Sequence, residues 1–360
     1  MKTKVVKVDA QQPDPSVIED AAQALRAGKL VAFPTETVYG LGAHALDEAA
    51  VQKIFDVKER PATDPLIVHI AHVGQVNQCA TAFPASARKL ALAFWAGPLT
   101  LILPKKPSIP DLVTAGLTNV ALRVPSHRVA RALVETAGIP IAAPSANRFS
   151  RPSPTTAAHV EADLLGRIDL ILDGGATDIG LESTIVDFSV HPPVLRRPGG
   201  ITFEQIHLLV PDVVLAAGRA TALEAQLAPG QLTRHYAPRA VLTLYEGDPS
   251  GVVKQIGADV RTAVAGGSMV GILAPEDDLK ALAPIIAATA SAGRVEVRPY
   301  GSRSDVERGA REFFAALRDL DAAGVAVIFA SSPGTEGLAL AIRDRLSRAA
   351  DGRIKTIVQS

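Results

Sequence analysis

The chain has 360 residues, 48% hydrophobic and 21% charged, enough to bury a sizeable core and to build two domains or one large one. Thirty-seven basic residues balance thirty-seven acidic ones, which excludes a global field for nucleic acid or anionic membrane and leaves only local patches. The single cysteine, Cys79, excludes an internal disulfide and a multi-cysteine zinc site, fits a reducing compartment, and reads as a small buried side chain.

The first residues, Met1 to Val6, alternate charged and apolar types with no long apolar region or cleavage pattern. No later segment reaches the roughly eighteen uncharged apolar residues of a membrane span, so a cytoplasmic protein is expected. Asp14-Pro15 offers an N-cap followed by proline at the first helical position; Ile18, Ala22 and Leu25 then share a face, and Gly28 can close the helix. A strand over 30–33 follows. The stretch from Phe33 to Gly42 reads as a turn whose hydroxyls and glycines suit a small polar ligand, or equally as a turn with solvent-exposed threonines. A second helix starts at Asp47, carries Val51, Ile54 and Phe55 on one side, and delivers Lys58 and Arg60 at or just past its C-terminus, where Pro61 ends it. Two cations so placed can neutralise a polyphosphate, although a Lys-x-Arg pair is usually a solvated surface feature.

Further strands are expected at 66–70, 99–103, 121–124, 140–143, 170–172 and 183–187. His69 and Arg123 lie inside apolar strands. Such a histidine is more often a hydrogen-bonded core residue, and a buried arginine requires an anion, either a bound carboxylate or a structural Asp or Glu. Ser145 and Asn147 close the strand at 140–143. Ser153-Pro154-Thr155-Thr156 reads as a helix N-terminus that favours phosphate, or more simply has Ser153 as an N-cap. Asp173-Gly174-Gly175 is a tight turn and Arg196-Arg197-Pro198-Gly199 a second cationic turn. This half is expected to be a twisted, mixed α/β sheet with packed helices.

From about 201 to 238, a short helix over 203–209 gives way to a stretch punctuated by Pro211, Gly218, Pro229 and Gly230, which reads as a linker. Apolar runs at 241–245, 269–273, 295–298 and 325–329 then alternate with helical patterns that include 305–320 and 338–348. That alternation predicts a small parallel sheet of Rossmann type. This half carries no G-x-G-x-x-G turn and no P-loop, so fold class alone makes no nucleotide claim for it. The expected division is 1–207, a linker at 208–238, and 239–360.

No motif is strong alone, but their order is specific. Pro34-Thr35-Glu36-Thr37-Val38-Tyr39-Gly40-Leu41-Gly42 precedes Lys58-Glu59-Arg60-Pro61 and Asp64-Pro65-Leu66-Ile67-Val68-His69. Leu122-Arg123-Val124-Pro125, Pro144-Ser145-Ala146-Asn147, Ser153 and Glu182-Ser183-Thr184-Ile185-Val186-Asp187 follow. The chain from Leu30 to Gly200 resembles the YrdC-type domain of threonylcarbamoyl-AMP synthases. The tail resembles the extra domain of the longer members, and Arg234-His235-Tyr236-Ala237-Pro238 is similar to the family's linker motif.

The resemblance implies a nucleotidyltransferase that joins L-threonine, bicarbonate or CO2, and ATP into L-threonylcarbamoyl-adenylate with release of pyrophosphate. Downstream proteins then pass the threonylcarbamoyl group to the adenosine beside the anticodon of certain tRNAs. It further implies that Thr37, His69, Arg123, the backbone at Ala143, and Ser183 hold threonine. Lys58, Arg60, Asp64, Asn119, Ser145, Asn147, Ser153 and Arg197 line the ATP and carbonate side, with Lys58 and Arg60 stabilising charge. Arg234, His235 and Tyr236 would form a lid over the nucleotide, and Mg²⁺ would arrive with ATP. Positioning and charge neutralisation, with no nucleophilic side chain, are expected to carry catalysis. Two alternatives compete. A concave domain of this type suggests weak RNA binding, against which zero net charge and 4% aromatic content weigh. Carbamoyl transfer, as in hydrogenase-maturation enzymes, would call for acylphosphatase and zinc-finger parts that are not visible here. Residues 240–350 read as a regulatory or partner-binding unit.

Overall fold

The computed structural model describes residues 2–216, 235–290 and 293–358. The chain divides into two compact units, one made of Met1–Phe149 and Ser153–Leu232, the other of Ser150–Pro152 and Thr233–Ser360. Of the linker expected at 208–238, residues 217–234 lie outside the described residues.

In chain order the first unit contains β1 (Lys4–Lys7), α1 (Pro15–Arg26), β2 (Val31–Phe33), β3 (Gly40–His44), α2 (Glu48–Lys58), β4 (Ile67–His69), α3 (Val76–Cys79), α4 (Ala85–Phe94) and β5 (Leu99–Pro104). It continues with β6 (Asn119–Arg123), α5 (Arg128–Ala137), β7 (Ile141–Ala142), α6 (Ala157–Leu164), β8 (Leu170–Asp173), β9 (Thr184–Asp187), β10 (Val194–Arg197), α7 (Phe203–Leu209) and β11 (Val214–Leu215). Among the described residues eleven strands form one mixed sheet in the order β1-β8-β2-β3-β7-β4-β6-β5-β9-β10-β11. The strands alternate faces as the pleat requires: Val31 and Phe33 pack with α1 and α5, while Ala32 joins the opposite core with Leu41, Ile54 and Leu122. Four strands of this unit are not among those expected from sequence: β1, short and largely exposed, β3, which carries glycines, and β10 and β11. Gly42 is required there, because a Cβ would lie 2.8 Å from the Phe33 ring and 2.9 Å from Ile141.

Helix ends follow local chemistry. The Asp14 carboxylate accepts the Ser16 N–H at 2.8 Å with Pro15 at the first helical position, and the Asp47 carboxylate accepts the N–H groups of Ala49 and Ala50. Thr202 and Gln205 form a reciprocal capping box on α7.

The second unit contains β12 (Val241–Gly247), α8 (Pro249–Ala265), β13 (Val270–Ala274), α9 (Glu276–Ala290), β14 (Val295–Pro299), α10 (Val306–Ala322), β15 (Val327–Ser331), α11 (Gly337–Ala349) and β16 (Ile354–Ile357). Among its described residues five strands are parallel in the order β14-β13-β15-β12-β16, the Rossmann-like sheet expected, with β16 added beyond the four apolar runs. Residues 150–152 are held in this unit. The Ala237 N–H donates to the Ser150 carbonyl at 2.7 Å, Arg151 pairs with Asp321 at 3.0 Å, and Arg318 donates to the Pro152 carbonyl.

Candidate active site

α2 delivers the first cations. Its buried face is Val51, Ile54, Phe55 and Lys58, the i, i+3, i+4, i+7 row of a helix, so Lys58 lies on the apolar side and is only 1% exposed. Its ammonium donates to the Ser145 carbonyl at 2.6 Å and to the Asn147 carbonyl. The Phe149 N–H returns a hydrogen bond to the Lys58 carbonyl at 2.9 Å. Glu59 ends the helix in the left-handed region at φ 57°, a conformation costing a non-glycine residue about 1 kcal/mol. Arg148 and Arg167 hold its carboxylate at 2.6 and 3.0 Å, and their hydrogen bonds lower its pKa. That turn aims Arg60 inward. Its Nε donates to the Asp64 carbonyl at 3.0 Å and its Nη2 to the Pro65 carbonyl at 2.7 Å, with the Asp64 carboxylate 3.0 Å away and the Phe149 ring 6.0 Å below. Both cations are therefore buried and organise the chain entering β4 and the 145–149 loop, where surface placement was the simpler expectation.

The second group gathers at one end of the sheet. β4 and β6 run parallel and finish in register at His69 and Arg123; β5 is antiparallel to β6 and places Thr100 opposite Arg123. The Thr100 hydroxyl lies 2.8 Å from that of Ser183, which precedes β9. Arg197 donates to the Ser183 carbonyl at 3.1 Å and its hydroxyl at 3.2 Å. Arg197 and Arg196 belong to β10 rather than to a cationic turn, because β10 pairs with β9, and Arg196 is neutralised by Asp187 at 2.8 Å. Gly199 lets the chain leave β10 against the site: a Cβ there would sit 2.3 Å from the Glu182 carbonyl.

Thr37 is fully buried, its hydroxyl 2.8 Å from that of Thr35, which donates to the Val38 carbonyl, so these threonines are not solvent-exposed. The Ala143 N–H donates to the Ile67 carbonyl at 2.9 Å, and Ser145 bridges to Gly40 across the sheet. The Asn147 side-chain amide donates to the Arg148 carbonyl at 2.7 Å; Asn119 opens β6 opposite Pro104. Ser153 is not the cap of α6. Thr156 is, accepting the His159 N–H, and this frees the Ser153 hydroxyl to donate to the Glu182 carboxylate. Arg234 lies outside the described residues. His235 and Tyr236 belong to the second unit, where Tyr236 packs on Phe314 and beneath the Arg345 guanidinium at 5.4 Å. Cys79 is buried, and burial pushes its thiol up to about 11.

Sequence reasoning missed Glu36 as a site residue. It is the anion that the buried Arg123 demanded: its Oε1 accepts from Arg123 Nη2 at 2.7 Å, and both side chains are about 5% exposed. The signal was present as the one acidic residue within the threonine-rich turn.

Burial, reinforced by the positive charge of Arg123, depresses His69 to about 3, so it is a neutral imidazole; its ring meets Phe33 edge-on at 6.2 Å. The folded value lies below the ordinary 6.5, so the unfolded chain binds the extra proton between those pH values and stability drains away as pH falls through that window. The slope on this account is at most about 1.4 kcal/mol per pH unit. Replacing His69→Gln should flatten the acid limb of urea-unfolding midpoints measured against pH; an unchanged limb would show that His69 is not buried neutral.

Among the described residues no cluster of three or more His, Cys, Asp or Glu side chains is placed to hold a metal ion, and no helix is long and apolar enough to cross a membrane. Residues 23–199 match the family model described as Telomere recombination, and residues 201–351 the one described as Threonylcarbamoyl-AMP synthase, C-terminal domain. The chain is 44% identical to a threonylcarbamoyl-AMP synthase of Pyrococcus abyssi, covering 94% of this chain and 95% of that one. It is also 44% identical to a threonylcarbamoyl-AMP synthase of Bacillus subtilis, covering 98% and 99%. The crystal structure of P. abyssi Sua5 complexed with L-threonine superposes with a TM-score of 0.90 at 42% identity, covering 99% of this chain and 100% of that one.

Proposed function

The chain belongs to the threonylcarbamoyl-AMP synthase family, and from that membership we propose that it condenses L-threonine, bicarbonate or CO2, and ATP into L-threonylcarbamoyl-adenylate, releasing pyrophosphate. The observation that carries the reading is near-full-length identity to named synthases combined with an end of the sheet where His69, Arg123, Thr100, Ser183 and Arg197 converge. In this reading Arg123 takes the threonine carboxylate, and Thr37, neutral His69, the Ala143 backbone and Ser183 surround the rest of the amino acid. Lys58, Arg60 and Arg197 supply positive charge to the carbamate and the phosphates, with Asp64, Asn119, Ser145, Asn147 and Ser153 fixing their setting. The threonine nitrogen, giving up a proton, attacks the carbon of CO2, or that of bicarbonate with loss of water, and the carbamate oxygen attacks the α-phosphorus and displaces pyrophosphate, so the protein's part is alignment, charge stabilisation and exclusion of water. Mg²⁺ bound to ATP would supply charge screening for the leaving pyrophosphate. Arg234, His235 and Tyr236 of the connecting segment are proposed to complete the nucleotide side. The adenylate is consumed by proteins that modify the adenosine beside the tRNA anticodon.

Pyrophosphate release from ATP should require both L-threonine and bicarbonate. Release that proceeds at the same rate without threonine would exclude the reading.

A further inference from the structure

We propose that Glu36 is the recognition residue for the α-ammonium of the amino-acid substrate, acting as one half of a receptor whose other half is Arg123; the inference rests on the function proposed above. The Glu36 carboxylate is buried. Its Oε1 accepts from Arg123, but its Oε2, equally removed from water, has no hydrogen-bond partner among the described residues. An anionic oxygen left in that state is costly, and a cationic donor arriving with the substrate relieves the cost. Arg123 is half-used as well. Its Nε reaches the Gly97 carbonyl at 3.3 Å and its Nη2 reaches Glu36, while Nη1 makes no hydrogen bond among the described residues.

The ion pair thus leaves one buried anionic oxygen and one guanidinium nitrogen without hydrogen bonds among the described residues, the complement of an α-amino-acid zwitterion. Docking a zwitterion sets each charge against its opposite and adds no net charge to a buried site. The surroundings support this use. The turn is tied down, with the Glu36 carbonyl accepting the Ile179 N–H at 2.8 Å and the Thr37 carbonyl accepting the Gly180 N–H at 3.1 Å, so the carboxylate is held before the ligand arrives. The hydroxyls of Thr35 and Thr37 are satisfied by each other and by the Val38 carbonyl. His69, beside Arg123, is neutral, and His127, which feels the Glu36 charge, has its pKa lowered by burial, so neither imidazole supplies the missing cation. A purely structural counter-ion for Arg123 would need only the oxygen it already uses.

The test compares binding of L-threonine with binding of its deaminated analogue, 2,3-dihydroxybutanoate, by calorimetry on the full chain in the presence of an unreactive ATP analogue. The wild-type protein should prefer threonine by roughly 10- to 150-fold, the worth of one charged hydrogen bond. Glu36→Gln keeps an oxygen for Arg123 and should weaken threonine by a similar factor while leaving the dihydroxy acid unchanged or tighter, so the preference collapses. Equal weakening of both acids, with the preference retained, would make Glu36 a structural counter-ion and overturn the proposal. Should the variant fail to fold, the wild-type ratio alone decides, since near-equal affinities for the two acids overturn it too. Wild-type protein that binds no threonine would instead overturn the proposed function, and this inference with it.

Discussion

Replacing Arg123→Met should cost about 3–5 kcal/mol of folding stability, the penalty for abandoning one partner of a buried ion pair. Glu36 and Arg123 are joined at 2.7 Å with both side chains about 5% exposed, so the methionine would strand a carboxylate that water cannot reach. The same logic predicts a compensating change. Adding Glu36→Leu to Arg123→Met removes the stranded charge and should recover most of the loss, because apolar replacement of a whole buried pair is often neutral or stabilising. Urea midpoints of the two single variants and the double variant form the cycle that measures the coupling. If the two single losses simply add in the double variant, Glu36 and Arg123 do not depend on each other. Threonine binding should be lost in the double variant despite its recovered stability, which separates the pair's contribution to folding from its contribution to recognition.

Lys58→Ala should slow threonine-dependent pyrophosphate release by roughly tenfold to a thousandfold, the scale of removing one preorganised electrostatic group from a site of developing charge. Two effects combine here. The alanine takes away a buried positive charge, and it leaves the Ser145 and Asn147 carbonyls without their donor, loosening the loop that carries both residues. Release measured at saturating ATP and threonine isolates the rate effect, and a near-normal rate would remove Lys58 from the charge-stabilising set. Arg60 differs in its anchoring, since two carbonyls and the Asp64 carboxylate already hold it, so its contribution is tied to the geometry of the chain entering β4.

How much of this was legible beforehand varies with the range of the interaction. The capped starts of α1 and α2, the exact span of α7, and most strands of both units could be read directly, because caps, proline and alternating apolar residues act over a few positions. Even the burial of Lys58 was written in the i, i+7 spacing from Val51, although a lysine on an apolar face is easily taken for a solvated one. β10 was missed because two adjacent arginines before Pro198-Gly199 look like a turn, and only pairing with β9, with Asp187 to neutralise Arg196, makes them strand residues. Ser153 reads as a cap because serine suits that role; Thr156 takes it three residues later, a competition among neighbouring hydroxyls that propensity cannot rank.

The amino-acid order by itself determined the two-unit α/β plan and the identity of the groups able to meet anions, since periodicity, turn chemistry and side-chain type are local properties. Only the tertiary structure decided which of those groups meet. Strand register sets His69 beside Arg123 and Thr100 opposite it, and folding brings Glu36 across 87 positions to share a buried charge. The physical reason is that desolvation makes a buried cation find an anion, but which anion answers depends on sheet register, a property no local window of sequence contains.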